Sequence, residues 1–152
     1  MTPDHRRPTL IAMRLSTTFD VSVPPDRVSA YLADPRHLLM ANNRGPVVEQ
    51  SDAPLAAGSW YVLAFDQLRV RIEYTVFDPP RAIAVQVAMT GRGSAGARSA
   101  QEFSLSAIDD GRGTRVAATA EGEGGPIRWA PILRASQALN WRRLKRAIET
   151  NG

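Results

Sequence analysis

Two carboxamide side chains offer the most specific chemistry in this sequence, because both fall within the apolar stripe of a predicted helix. Gln137 and Asn140 lie between Leu133 and Leu144, and the four positions follow the i, i+4, i+7, i+11 spacing of one helix face. A buried amide without a hydrogen-bond partner costs about 1–3 kcal/mol, so each needs a partner. Either the two amides line a cavity and orient the polar end of a mostly apolar ligand, or a strand side chain or a buried water pairs with them inside a closed core.

Side chains that commonly carry catalysis are scarce. The absence of cysteine excludes disulfides, thiolate metal ligands and a cysteine nucleophile. His5 lies in an N-terminal tail and His37 on a short helix, where we expect it to be solvated, and their spacing does not fit a metal site. Glu73 and Glu102 fall on the polar faces of predicted strands, and no serine lies in a G-x-S-x-G elbow. We therefore expect no metal and no cofactor, and the sequence leaves open whether the protein is an enzyme.

A glycine-rich segment at residues 91–96 matches the G-x-G-x-x-G pattern of dinucleotide-binding loops. That function requires a helix directly after the loop, with its N-terminus at the phosphates. Residues 97–105 alternate like a strand instead. The pattern therefore favours a flexible hairpin loop rather than a nucleotide site.

The positive charge of the chain invites a nucleic-acid interpretation. Net charge is +4, and Lys145 is the only lysine among the 19 basic residues. Basic side chains also cluster on the polar side of the last predicted helix: Arg134, Arg142, Arg143, Lys145 and Arg146. Cations near a helix C-terminus are favoured by the helix dipole, and exposed aromatic platforms are lacking. We therefore expect a solvated face and no nucleic-acid partner.

The chain has the length of one domain, 152 residues. We expect residues 1–12 to form a disordered tail and residues 13–150 to form a single domain. No apolar run approaches the ~20 residues of a membrane span, so stable membrane insertion is not expected. The tail carries charges and prolines without an apolar core, which together with the missing cysteines favours a cytoplasmic protein. Nothing in the sequence indicates an oligomeric state.

Hydrophobic periodicity predicts an α+β fold. Apolar and polar residues alternate from residue 13 to residue 23, and Pro24 and Pro25 end this first strand. A short amphipathic helix follows, and Asp34 and Pro35 are suited to cap and begin a second one. Six strand-like runs then extend to residue 121, joined by tight turns, and residues 127–150 form one long helix. Short strands with tight turns predict a curved antiparallel sheet of seven strands wrapped around this C-terminal helix, with two short helices between strands 1 and 2.

This order of elements resembles the START-like, or SRPBCC, superfamily with its helix-grip fold, and most closely its polyketide cyclase/dehydrase-like group. The resemblance is carried by the segments Val23-Pro24-Pro25-Asp26-Arg27-Val28, Tyr31-Leu32-Ala33-Asp34-Pro35, Ala57-Gly58-Ser59, Asp78-Pro79-Pro80-Arg81, Gly113-Thr114-Arg115-Val116 and Leu144-Lys145-Arg146. The segment from Leu38 to Asn43 departs from the pattern, because it lacks the tryptophan that relatives often carry. The superfamily hosts lipid carriers, cyclases and co-chaperone-like proteins, so the resemblance implies a fold and a cavity rather than one activity.

The resemblance implies that the concave side of the sheet supplies the walls of a ligand cavity. We predict that these walls include Tyr31, Trp60, Tyr74, Met89 and Phe103, with Leu39 and Met40 at the mouth and Leu133, Gln137 and Asn140 on the helix. The orientation of Trp60 depends on the strand register, since a slip of one residue would put Tyr61 in its place. Each of these residues also fits an ordinary core.

Three functions remain open at this point. The first is binding or carriage of a small hydrophobic molecule, such as a lipid, a quinone or a polyketide. The second is a polyketide cyclase or dehydratase that uses the same cavity. The third is a protein-interaction module with a filled core. We rank binding first because no convincing acid–base set is present.

Overall fold

A computed structural model of the protein describes residues 10–38, 46–52, 55–65, 67–91, 98–126 and 141–150. Seven strands form one antiparallel sheet in the order β1-β7-β6-β5-β4-β3-β2. Their bounds are β1 Leu10–Val21, β2 Val47–Gln50, β3 Trp60–Phe65, β4 Leu68–Asp78, β5 Ala82–Gly91, β6 Arg98–Ile108 and β7 Gly113–Pro126. Two short helices follow β1, namely α1 (Pro25–Leu32) and a 3₁₀ helix (Pro35–His37), and residues 141–150 form the helix α2.

Alternation of side chains gives the sheet an inner and an outer face. The register aligns Tyr74, Val85, Gln101, Ala120 and Leu15 in one row across β4, β5, β6, β7 and β1. We call the face that carries this row the inner face. The polar residues that alternate with it, such as Arg14, Glu102 and Arg115, lie on the outer face and are exposed.

The alternation breaks within β4, an interior strand of the sheet. The pairing with β5 shifts between Tyr74 and Val76, because one extra residue bulges from β4 at this point. Phe77 therefore pairs with inward-facing Ile83 and packs against the core, whereas Val76 is 43% exposed. Strict alternation from Val70 through Ile72 and Tyr74 would place Val76 on the inner face instead.

The two short helices close one end of the inner face. Pro25 begins α1 and Asp26 lies in its first turn, while Val28 and Leu32 are completely buried. Asp34 then caps the 3₁₀ helix by accepting a hydrogen bond from the Arg36 backbone N–H at 3.0 Å. The predicted second helix is therefore confirmed, as a single 3₁₀ turn.

Helix α2 packs its apolar stripe on the same end of the sheet. Trp141, Leu144 and Ile148 are buried in the core. Glu149 fixes the helix to the end of β1, since its carboxylate accepts bonds from the Ser22 N–H at 3.3 Å and the Ser22 hydroxyl at 3.2 Å. The remainder of the predicted long helix, residues 127–140, lies outside the described residues.

The bounds of β1 and β7, which are neighbours at one edge of the sheet, differ from prediction. Strand β1 begins at Leu10 rather than at residue 13, and β7 continues to Pro126 rather than ending at residue 121. The two ends pair with each other, so each extends the other. The α+β helix-grip fold with a seven-stranded antiparallel sheet is confirmed. No helix among the described residues has the length and apolarity of a membrane span.

Candidate ligand-binding site

The inner face is sealed beneath α1, which packs on β5, β6 and β7. Tyr74, Ile72 and Ile83 are completely buried, and Phe103 is only 2% exposed. The Tyr74 hydroxyl donates a hydrogen bond to the Leu32 carbonyl at 2.9 Å, which ties β4 to the last turn of α1. Thr114 makes a similar tie, because its buried hydroxyl donates to the Val23 carbonyl at 2.7 Å. This part of the interior is therefore a closed core.

The inner face of β1, β7 and β6 is different, because its side chains remain partly exposed. The inward-facing residues of intermediate exposure are Leu15, Thr17 and Phe19 on β1, Ala120 and Gly122 on β7, Ser99 and Gln101 on β6, and Met89 near the end of β5. Strand β1 lies at a sheet edge, but β6 and β7 are interior strands, so an edge position does not explain their exposure. An inward side chain that stays accessible borders a space that solvent can enter. We call these eight residues the open inner surface.

The side chains of β7 shrink toward the open inner surface. Its inward positions run Thr114, Val116, Ala118, Ala120 and Gly122. Val116 is completely buried at one end, whereas Ala120 and Gly122 at the other are partly exposed. Small residues on an interior strand leave room above the sheet, which a packed core would fill with larger side chains.

Three polar groups accompany the apolar side chains of the open inner surface: Thr17, Ser99 and Gln101. Gln101 lies between Val85 and Ala120 in the register, with Leu15 next in the same row. Within the described part of the chain, no hydrogen bond to its side-chain amide is seen. A half-buried amide among apolar neighbours gains most from a ligand that carries a polar group.

The inner face offers few side chains that could act as a general acid or base. The inward positions of the described strand residues carry no Asp, Glu, His, Lys or Arg. Burial raises the pKa of Tyr74 far above its ordinary value, and the neighbouring Tyr61 and Asp34 add to the increase. Tyr74 therefore stays neutral at physiological pH. Among the residues described, no cluster of three or more His, Asp or Glu side chains could hold a metal.

Trp60 lies on the outer face, so the predicted inward orientation was wrong. It pairs with Glu73 in the register, whereas Tyr61 pairs with the buried Ile72. Tyr61 makes an edge-to-face contact with Tyr74, with ring centroids 6.1 Å apart. The Arg71 guanidinium carbon lies 5.2 Å from the centroid of the Trp60 ring, which gives this tryptophan a cation–π role on the outer face.

Tyr31 belongs to a cluster beside the 3₁₀ helix. Its ring stacks on His37 with centroids 3.9 Å apart, and the His37 Nδ1 lies 2.7 Å from the Tyr31 carbonyl oxygen. The His37 side chain is 31% exposed, so it is stacked and half-buried, whereas the sequence predicted a solvated position. Burial raises the pKa of the nearby Asp34, but hydrogen bonds from the Arg36 side chain and backbone outweigh this and hold it below its ordinary value.

The ten predicted site residues fall into four groups. Tyr31, Tyr74 and Phe103 lie in the closed core, Met89 lies on the open inner surface, and Trp60 lies on the outer face. Leu39, Met40, Leu133, Gln137 and Asn140 lie outside the described residues. The prediction missed Gln101 and Ala120, although the alternation through Phe103 and through Val116 continues to both positions and could have identified them.

Comparison with solved structures identifies many proteins of similar fold. A protein named Mll3558 from Rhizobium loti has a TM-score of 0.68 and 19% identity, over 91% of this chain and 99% of that one. A conserved protein from Geobacillus kaustophilus has a TM-score of 0.67 and 18% identity, over 91% and 94%. Norcoclaurine synthase from Thalictrum flavum, in complex with dopamine and hydroxybenzaldehyde, has a TM-score of 0.61 and 11% identity, over 93% and 86%. At these identities the likeness establishes the fold alone.

The sequence itself was also compared with families and with curated proteins. No curated protein matches significantly. One family model, described as polyketide cyclase / dehydrase and lipid transport, matches residues 12–149 and so extends from β1 to α2. The chain therefore belongs to the polyketide cyclase / dehydrase and lipid transport family, within the START-like superfamily that its strand and turn segments resemble.

Proposed function

We propose that this protein binds a small, mostly apolar molecule, such as a lipid, a quinone or a polyketide, against the open inner surface. Family and fold suggest either hydrophobic ligand binding or polyketide cyclase-type activity. The observation that carries the proposal is the partial exposure of Gln101 and Ala120, which face inward on the interior strands β6 and β7. Pockets that accept small molecules are typically apolar with a few polar groups, which is the composition of this surface.

Gln101 is the polar group that we assign to the ligand's polar end. Its amide can donate and accept, so it suits a hydroxyl, a ketone or an amide. The flanking Ala120 and Leu15 offer apolar contact on the same row. Gln137 and Asn140 on the C-terminal segment remain proposed partners for the same end of the ligand.

A filled core, as in a protein-interaction module, accounts less well for this face. A filled core would bury Ala120 and Gln101 as completely as it buries Val85 and Val116. It would also favour larger side chains than the alanines and glycine at the end of β7.

Catalysis by the same cavity is the second candidate, favoured by the cyclase and dehydrase activities in the family description. A cyclase can act largely by holding a reactive chain in a productive conformation. The described inner face carries no charged side chain and no histidine, so binding without chemistry ranks first.

The proposal can be tested with a neutral fluorescent probe. N-phenyl-1-naphthylamine becomes fluorescent in an apolar environment and carries no charge, so it reports on the open inner surface. We expect saturable binding by the purified protein, and native mass spectrometry should detect a small molecule that copurifies and that the probe displaces.

A matched pair of substitutions on β7 locates the binding surface. Ala120→Phe adds a ring on the inner face, whereas Ala117→Phe adds the same ring on the exposed outer face of the same strand. Overpacking typically costs 1–3 kcal/mol, so Ala120→Phe should weaken probe binding by about five- to a hundredfold. Ala117→Phe should leave it unchanged. Equal affinity in the wild type and in both folded variants would contradict the proposal.

A further inference from the structure

The outer face contains a concave site that the proposed function does not use. A groove of about 490 Å³ lies over β5, β6 and β7, lined by Arg14, Arg71, Gln86, Val87, Ala88, Arg98, Ser99, Ala100, Glu121 and Gly122. We call it the outer groove. Its charged and amide side chains all occupy outer-face positions, whereas Ser99 and Gly122 also belong to the open inner surface, so the two sites share these two residues.

The outer groove is concave because small residues stand between long ones. Ala88 pairs with Arg71 on one side and with Arg98 on the other. Since neighbouring strands lie about 5 Å apart, the Cα atoms of the two arginines are about 10 Å apart. Ala100 lies between Gln86 and Glu121 in the neighbouring row. The two methyl groups form an apolar floor, and the longer side chains form walls around it.

Positive charge dominates these walls, with three arginines against one glutamate. Glu121 pairs with Arg14 at 3.3 Å, but both side chains are more than half exposed, so this pair is weak. Arg71 is held in place by Glu73 at 2.9 Å and by the Trp60 ring. The register aligns Arg98 with Glu123, yet no ion pair of Arg98 is found among the side chains that are described.

We propose that the outer groove is a second binding site, for a small molecule that carries a phosphate or a carboxylate group. Guanidinium groups bind both anions through paired N–H donors, and an oriented arginine loses less conformational freedom on binding. The volume lies within the 300–1,000 Å³ typical of small-molecule sites. The alanine floor adds apolar contact for the body of the molecule. This inference rests on the outer-face arginines and alanines, none of which belongs to the open inner surface.

Pyrophosphate and citrate serve as probes for the two anion classes. Each would be titrated into ¹⁵N-labelled protein at low salt and at 150 mM salt, with amide chemical shifts as the measure. We expect saturable shifts at residues 86–88, 98–100, 121 and 122 for at least one probe. The probe that binds more tightly identifies phosphate or carboxylate as the preferred group. Shifts spread evenly over the arginines of the surface, or no saturation with either probe, would overturn the proposal.

Four substitutions separate a specific site from general attraction to a basic protein. Arg98→Gln removes one charge-assisted contact and should weaken binding about tenfold, and Ala100→Leu should weaken it by filling the floor. Glu121→Gln removes the competing carboxylate and should strengthen binding. Arg81→Gln is the control, since Arg81 is equally basic but lies on the exposed turn between β4 and β5. An equal loss of anion affinity in Arg81→Gln and Arg98→Gln would refute the site. Binding of the naphthylamine probe should be unchanged in Arg98→Gln, which distinguishes an effect on the outer groove from an effect on the open inner surface.

Discussion

Tyr74 joins the sheet to the helical end of the protein, and its hydroxyl can be removed with little change in shape. The ring is completely buried and makes edge-to-face contacts with Tyr61 and Phe77. Its hydroxyl donates to the Leu32 carbonyl in the last turn of α1. Tyr74→Phe keeps the ring contacts and leaves that buried carbonyl without its donor. We expect a loss of about 2 kcal/mol in the free energy of unfolding, within the 1–3 kcal/mol cost of an unsatisfied buried group.

This loss should depend on pH, with a sign fixed by the raised pKa of Tyr74. Above pH 10 a tyrosine in the unfolded chain loses its proton, whereas the buried Tyr74 keeps it. The unfolded state then binds fewer protons, so the contribution of Tyr74 to stability is complete below pH 10 and decreases above it, by about 1.4 kcal/mol per pH unit. Phenylalanine does not titrate. The stability difference between wild type and Tyr74→Phe should therefore be about 1.4 kcal/mol smaller at pH 11 than at pH 8.

Urea unfolding at pH 8 and pH 11 measures both effects, and thermal unfolding gives a check. For a domain of this size, a loss of 2 kcal/mol lowers Tm by about 4–8 °C. Tyr61→Phe is the matched control, because Tyr61 is half-buried on the same face and should cost less than about 0.5 kcal/mol. A variant Tyr74→Phe as stable as wild type at pH 8, or a difference that does not change with pH, would refute this reasoning.

Two further predictions concern the cap and the polar anchor. Asp34→Ala should lower the free energy of unfolding by about 1 kcal/mol at pH 7, because Asp34 caps the 3₁₀ helix. The pKa of Asp34 is lowered in the folded protein, so its contribution is complete above the unfolded pKa and is lost as pH falls through the folded pKa; the deficit should therefore shrink as pH falls below about 4. Urea unfolding measures this, with the exposed Asp52→Ala as control, and a deficit as large at pH 2 as at pH 7 would contradict it. Gln101→Leu should weaken the binding of 1-naphthol two- to tenfold, because one hydrogen bond contributes about 0.5–1.5 kcal/mol. It should not weaken the binding of 1-methylnaphthalene, which has no hydroxyl group. Both affinities would be measured by competition with the naphthylamine probe. Gln86→Leu on the outer face should change neither affinity, and an equal effect of the two leucine variants would exclude Gln101 as the anchor.

Much of the fold was predictable because alternation and turn residues are local signals. The alternation around Phe19, Phe103 and Val116 correctly assigned three strands to the sheet, and Asp34-Pro35 correctly marked the break between the two small helices. The glycine-rich segment at residues 91–96 is followed by β6 rather than by a helix, as its context indicated. At the turn before β7, Gly111 has φ +85°, a conformation that glycine adopts without strain.

The errors arose where a shift of one residue changes which face of the sheet each side chain of a strand occupies. We call this assignment the parity of the strand. A bulge after Tyr74 moves Phe77 inward and Val76 outward, and such bulges have no dependable local signature. Trp60 and Tyr61 are adjacent, large and amphipathic, so their residue types alone do not determine which of them faces inward. The strand register determines it, because Trp60 pairs with the outward-facing Glu73 and Tyr61 pairs with the inward-facing Ile72. Parity errors of this kind reverse the apparent role of a residue, as they did for Trp60.

The candidate site was harder to predict than the fold, because it is defined by small residues and by partial exposure. Large aromatic residues attract attention in a sequence, but Tyr74 and Phe103 belong to the sealed core. Ala120, Gly122 and Gln101 instead border the accessible space. Exposure of an inward position depends on what covers the sheet, which is a tertiary property that strand periodicity does not contain.

The central claim is that a hydrophobic ligand binds on the inner side of β1, β6 and β7. Intermolecular nuclear Overhauser effects between bound N-phenyl-1-naphthylamine and ¹³C-labelled methyl groups test this most directly. We expect contacts from the probe to Leu15, Ala120 and Met89, and none to Ala117 or Thr18 on the outer face of the same sheet. Contacts confined to the outer-face methyl groups, or a saturated complex in which Leu15 and Ala120 are silent, would contradict the account.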